Sequence, residues 1–231
     1  MMEIIPVLDL MNSIAVSGKS GNRNSYTPLS SFYSSNSDPV AIAQSLKIYG
    51  ADQIYIADLD LIEKKSHNLD KIKLINTILP VMLDGGICDL KSFEFYLDFA
   101  YKLIVATETL ESIEELYKIF DNFSKERIVV SVDIKDDRLF SKNIDMTVEE
   151  FKKELVAIDP NEIILLNISD VGRNCGFNKE LISGFSQLKD KLILGGGITK
   201  NEINELSAIG IKKVLVGSSL HNGEISLKFN L

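Results

Sequence analysis

Eight short apolar runs, spaced along the whole chain, constrain the fold more than any other feature. They occupy residues 3–9 (EIIPVLD), 53–58 (QIYIAD), 81–84 (VMLD), 102–106 (KLIVA), 127–133 (RIVVSVD), 162–167 (EIILLN), 191–195 (KLILG) and 213–217 (KVLVG). Each is near-continuously apolar, whereas a strand with one face in water alternates, so all eight are expected as strands covered on both faces. Helix signals fall between them. Asp38 before Pro39 sets a capping side chain ahead of a helix-starting proline. Boxes of the S/T-x-x-E type stand at Ser112…Glu115, Thr147…Glu150 and Thr199…Glu202. Eight units in 231 residues average about 29 residues each, the size of a strand with its returning helix. Right-handed crossovers leave an open doubly wound sheet or a closed barrel. Eight units favour the barrel: an α/β (βα)8 fold, with residues 1–231 as one barrel domain.

An internal repeat points the same way. Lys102-Leu-Ile-Val-Ala matches Lys213-Val-Leu-Val-Gly, and Gly85-Gly86-Ile87 matches Gly196-Gly197-Ile198, both at a shift of 111 positions. Residues 53–58 match 162–167 at a shift of 109. Three landmarks in order at nearly one offset indicate two four-stranded halves made by duplication.

Composition narrows the function. The formal charge is −8, from 25 Lys and Arg against 33 Asp and Glu. A surface of that sign repels nucleic-acid backbones and anionic membranes, so neither is expected as a partner. A small anion remains acceptable, because a few backbone amides can hold a phosphate inside an acidic protein. Two cysteines, Cys88 and Cys175, are too few for a disulfide scaffold. No apolar run approaches the length of a membrane span and no leader is read, so a cytoplasmic protein is expected. With only His67 and His221, no metal site is expected, and no cofactor. Gly18-Lys19-Ser20 lacks the first glycine of a phosphate-binding P-loop, and the glycines at 195–197 lack the third member of a dinucleotide fingerprint.

In such a barrel the loops after the strands form the active face. Asp9, Asp58, Asp84, Asp133 and Asn167 all end apolar runs. Any one could be a helix cap. Asp9 and Asp133, however, end the first and fifth strands and face each other across the mouth, the placement a paired acid and base require. Gly85-Gly86, Gly195-Gly196-Gly197 and Gly217-Ser218-Ser219 let amides approach a phosphate; the alternative is simple tight turns. Ser-, Asn- and Gly-rich residues 11–37 form the longest non-helical stretch and are expected as a lid.

The chain resembles the histidine-biosynthesis sugar isomerases and their cyclase relatives. The resemblance rests on Ile4-Ile-Pro-Val-Leu-Asp-Leu10, Tyr55-Ile-Ala-Asp-Leu59, Asp84-Gly-Gly-Ile87, Ser131-Val-Asp133, Gly195-Gly-Gly-Ile198 and Val214-Leu-Val-Gly-Ser218, in order along the chain. It implies a (βα)8 barrel catalysing an aldose–ketose isomerisation of a phosphorylated ribosylamine. It makes Asp9 the base and Asp133 the acid. It places two phosphates, at Gly85 and Gly86 with Thr107, and at Gly196 and Gly197 with Gly217 and Ser218. Lys19, Arg23, Glu108 and Asn167 are candidate substrate contacts. The departures are specific. Ala106-Thr107-Glu108 replaces Gly-Ser-Thr, Asn167 begins an altered strand-six signature, and the loop from Gly18 to Tyr26 is unlike the usual enzyme. The alternatives are a paralogue acting on another phosphoribosyl compound, or a partner-dependent, cyclase-like binding barrel. The lysine a cyclase carries is replaced near Ser17, so a glutaminase partner is not expected. Glu108 either caps the helix starting near Ser112 or faces the pocket. In the second case a second phosphate meets a like charge worth ~4 kcal/mol at 4 Å in an effective dielectric near 20. One strong anion site, at 195–219, is therefore expected, and a weak one at 85–108.

Overall fold

All eight runs are strands in the computed structural model, which describes residues 2–18, 25–168, 177 and 179–227. In chain order the elements are β1 (Glu3–Met11), β2 (Ile14–Ser17), β3 (Thr27–Pro28), α1 (Pro39–Ile48), β4 (Ile54–Asp58), α2 (Leu59–Ile62), α3 (Leu69–Asn76), β5 (Val81–Asp84), α4 (Leu90–Tyr96) and β6 (Lys102–Ala106). There follow α5 (Ile113–Asn122), β7 (Ile128–Lys135), β8 (Arg138–Leu139), α6 (Val148–Ile158), β9 (Ile163–Asn167), α7 (Lys179–Gly184), β10 (Leu192–Gly195), α8 (Lys200–Ala208), β11 (Lys213–Val216) and α9 (Ser218–His221). Strands β1, β4, β5, β6, β7, β9, β10 and β11 pair in that order, all parallel, and β11 returns to β1 through Glu3↔Lys213 to Pro6↔Val216. That contact closes an eight-stranded barrel. Among the described residues no helix is long and apolar enough to cross a membrane.

Helices begin where their caps dictate. Asp38 accepts from the Ala41 amide ahead of Pro39, and Thr147 and Glu150 cap α6 reciprocally. Such caps stabilise by about 1 kcal/mol each. Glu202 reaches back to the Thr199 amide at 3.0 Å. The expected box at Ser112 is only half made. Ser112 accepts from the Glu115 amide, but the Glu115 carboxylate instead takes the Leu90 amide at 2.9 Å and so ties α5 to the start of α4.

The stretch expected as a lid carries regular structure among its described residues. It contains β2 and β3, which fold back on the projecting end of β1 in antiparallel register Asp9↔Val16 and Val16↔Pro28. The fifth barrel strand does the same: β7 runs past the rim and pairs with β8 through Ile134↔Leu139. Both hairpins turn through two residues of positive φ, Asn12 (53°) and Ser13 (66°) in one, Asp136 (51°) and Asp137 (59°) in the other. Two such residues match the right-handed twist of the paired strands. Each half thus opens on a long strand with the same fold-back.

Inside, side chains stack in layers. Ile5, Met82, Val129 and Ile193, all fully buried, fill the lower barrel. Tyr55, Ile104, Ile164 and Leu215 lie above them. Continuing the register upward gives Val7, Asp84, Ser131 and Gly195, then Ala57, Ala106, Leu166 and Gly217, and at the rim Asp9, Gly86, Asp133 and Gly197. Four side chains from alternate strands per layer is what barrel geometry imposes. At the opposite end Glu162 accepts from Lys102 and Lys213, each at 2.6 Å, and Lys213 also approaches Glu3.

Candidate active site

Asp133 is the most constrained group at the mouth. It is 4% exposed, its Oδ1 accepts from the Ser131 hydroxyl at 2.8 Å, and its Oδ2 accepts from the Glu108 amide at 3.3 Å. Its own amide donates to Thr107 Oγ1 at 3.1 Å. Burial pushes its carboxyl up to about 8, with the Asp84 charge adding to the rise and the two hydrogen bonds opposing it. Desolvation disfavours the charged form, so Asp133 holds its proton more tightly than an exposed aspartate does. Asp9, half-buried, is four strands away around the barrel and lines a cavity that Asp133 does not line.

Between the two stands Tyr55, whose hydroxyl donates to Asp84 Oδ2 at 3.1 Å. Burial, and then the charges of Asp84, Asp133 and Asp9, hold that phenol well above its ordinary range. Tyr55 is therefore a fixed donor among three carboxylates. Neither Tyr55 nor Asp84 was singled out as a site residue from the sequence. Strand parity carries the signal for both, since Tyr55 points inward with Ala57 and Asp84 with Met82.

Beside Asp9 opens a cavity of about 770 Å³, lined by Gly196, Gly197, Gly217 and Ser218 and walled by residues of β2 and β3. Gly196 has φ +100°, and a Cβ there would stand 2.5 Å from the Asn167 carbonyl oxygen. No other residue fits. Asn167 thus serves as backbone wall to this turn. His221 closes the base: its Nε2 lies 2.8 Å from the Val7 carbonyl, so Nε2 carries the proton, and Nδ1 then accepts from Ser31. Burial lowers its basicity, which fits a neutral ring bridging β1, α9 and the loop after β3.

The equivalent turn of the first half is built differently. Gly86 (φ +71°) lies against α2, where a Cβ would meet Ile62 Cα at 3.0 Å, and its amide donates to Asp84 Oδ1. Thr107 is fully buried and its hydroxyl donates to the Phe140 carbonyl. Glu108 does not cap α5. Its carboxylate pairs with Lys142 at 3.0 Å, while its amide serves Asp133. None of Gly85, Gly86, Thr107 and Glu108 lines the cavity. Asp58, another strand-ending aspartate, is structural: buried, it caps α2 and binds both the amide and side chain of Asn68. Lys19, Arg23 and Cys175 lie outside the described residues.

The closed ring of eight parallel strands with helices between them makes this an α/β (βα)8 barrel protein, with rim aspartates on its first and fifth strands and glycine turns after its third and seventh. Comparison with known proteins gives its family. The family described as histidine biosynthesis protein matches residues 3–226, and the chain belongs to that family. It is 38% identical to an uncharacterized protein of Methanocaldococcus jannaschii, over 98% of this chain and 96% of that one. It is 31% identical to a protein of Halothermothrix orenii named 1-(5-phosphoribosyl)-5-((5-phosphoribosylamino)methylideneamino) imidazole-4-carboxamide isomerase, over 98% of both chains. A protein of the same name from Ruminiclostridium cellulolyticum is 30% identical over the same shares.

Proposed function

We propose that this protein is an aldose–ketose isomerase acting on a phosphorylated ribosylamine by an Amadori-type rearrangement. The carrying observation is the buried Asp133, held by Ser131 and the Glu108 amide on the fifth barrel strand, with Asp9 on the first strand lining a glycine-rich cavity. Asp133 gives its proton to the ring oxygen as the nitrogen lone pair opens the ring to an iminium. Asp9 then removes the C2 proton to give the enolamine. Return of a proton to C1 and loss of the enol proton yield the 1-amino-2-ketose, with no net gain or loss of atoms. The amides of Gly196, Gly197, Gly217 and Ser218 hold a phosphate of the substrate. The relatives named as isomerases of a doubly phosphoribosylated imidazole support this reaction class.

A second reading concerns substrate size. In the first half the Gly86 and Glu108 amides already serve Asp84 and Asp133, and Glu108 with Lys142 occupies the surroundings. That supports, as the alternative, a monophosphorylated ribosylamine in place of the bisphosphorylated compound, and with it a paralogue working outside the histidine step. One assay separates the two. Conversion of the bisphosphorylated ribotide supports the histidine reaction. Conversion of monophosphorylated ribosylamines alone supports the paralogue. Turnover of neither class would sink the isomerase reading.

A further inference from the structure

We propose that His221 is a positioning residue for the open cavity: its ring ties the first strand, just below Asp9, to the loop that walls the cavity beyond β3. For its consequence in turnover the inference rests on the reading of Asp9 as the base and of the glycine turn as a phosphate site.

The repeat separates what the fold needs at this place from what it does not. At a shift of 111 positions the counterpart of His221 is Leu110, which is buried and apolar. Both positions use the backbone in the same way. The Leu110 carbonyl accepts from Asn143 Nδ2 at 3.2 Å, in the loop after β8. The His221 carbonyl accepts from the Phe32 amide at 2.7 Å, in the loop after β3. Each hairpin loop is therefore docked on its neighbouring turn through a main-chain oxygen, and in the first half an aliphatic side chain suffices beside it. His221 adds two further hydrogen bonds, and it does so on the side that carries the open cavity.

Those two bonds lead to opposite sides of the cavity. Nε2 donates to the Val7 carbonyl at 2.8 Å, one residue past the last pair of the β1–β11 ladder, Pro6↔Val216. Val7 lines the cavity together with Asp9 on the same strand. Nδ1 accepts from the Ser31 hydroxyl at 2.9 Å, and that hydroxyl oxygen accepts from the Tyr33 amide at 3.1 Å. Leu29 and Ser30, immediately before Ser31, are wall residues. The ring is 3% exposed and itself lines the cavity. With each nitrogen bound to a different element, it cannot turn without breaking a bond. In the same helix Ser219 donates to the Ile198 carbonyl at 3.1 Å, which joins α9 to the glycine turn after β10. Strand, wall and both glycine turns thus meet at α9.

The test uses the full chain with His221→Leu, the side chain that the counterpart position carries. Hydrogen exchange followed by NMR needs no ligand. In His221→Leu the Phe32 and Tyr33 amides should exchange faster by about tenfold or more, while the barrel strands keep their protection. Inorganic phosphate, titrated by calorimetry, should bind more weakly by about fivefold or more. His221→Gln, whose amide can still donate to Val7, should regain part of that loss. In an active preparation the two variants should lower kcat in the same order. A ring that only stabilises the fold would lower the melting midpoint and leave the phosphate dissociation constant of the folded protein unchanged, and that outcome overturns the proposal. Unchanged exchange rates overturn it as well. If His221→Leu does not fold, Ser31→Ala carries the same measurements, and unchanged values there overturn it. Wild-type protein that binds no phosphate refutes the phosphate reading of the turn, and the exchange rates then decide the proposal on their own.

Discussion

The turns after β5 and β10 occupy equivalent places in the two halves and carry the same Gly-Gly-Ile triplet, yet they are put to different uses. After β10 the glycines border an open cavity. After β5 the Gly86 amide serves Asp84, and in the neighbouring turn after β6 the Glu108 amide serves Asp133 while its carboxylate pairs with Lys142. The difference shows that a repeated backbone preserves a binding geometry only while the neighbouring side chains leave it empty. Asp84 and Asp133 are internal carboxyl groups occupying amides that could otherwise have met a ligand.

The sharpest way to break this comparison is to remove Asp133, the proposed acid, which Thr107 and the Glu108 amide hold from the first half. Asp133→Asn should lower isomerase turnover by about 10²–10⁴. It should also stabilise the fold above neutral pH. Asp133 has a folded-state value near 8 against an ordinary 3.8, so the native state binds the proton more tightly than the unfolded chain. Its contribution is therefore complete below the ordinary value and is lost as pH rises toward about 8. A thermal melting series from pH 5 to 9 checks this: the wild type should lose stability over that range more than the variant does. Equal slopes would contradict the burial argument.

Next in size is a matched pair of glycine substitutions. Gly196→Ala places a methyl against the Asn167 carbonyl at positive φ and should cost about 1–3 kcal/mol. It should also weaken inorganic phosphate binding at least tenfold, read by calorimetry. Gly85→Ala meets the side chains of Leu61, Leu83 and Tyr96 no closer than 3.4 Å and should change stability by less than about 1 kcal/mol, with phosphate affinity intact. Similar losses in both would erase the distinction between the turns. The smallest effect is expected from Glu108→Gln, which removes a partly exposed ion pair worth about 0–1 kcal/mol. Its interest lies in binding. Relief of the like charge should raise affinity for a bisphosphorylated ligand relative to a monophosphorylated one by a few-fold.

Most of the barrel was legible in the sequence because both-face burial leaves an unmistakable run of apolar residues. All eight strands fall within two residues of their expected bounds. The fold-back hairpins were missed. β2, β3 and β8 are short, and the two hairpins turn at Asn12-Ser13 and Asp136-Asp137 rather than at a glycine. Asp9 and Asp133 could be chosen from strand position alone. Thr107, assigned to phosphate through family resemblance, is directed by the fold to Asp133 and Phe140 instead. Glu108 could not be placed at all, because its partner Lys142 lies 34 residues on, in a loop with no periodic signal.

The ion cluster of Glu162 with Lys102 and Lys213, beneath the fully buried layer of Ile5, Met82, Val129 and Ile193, gives the barrel a sealed floor. A vessel with one door imposes a kinetic rule. Whatever is made at the rim must leave by the way its precursor came in, past the same glycines and the same hairpin. Product and substrate then compete for one threshold, and inhibition by product should be competitive.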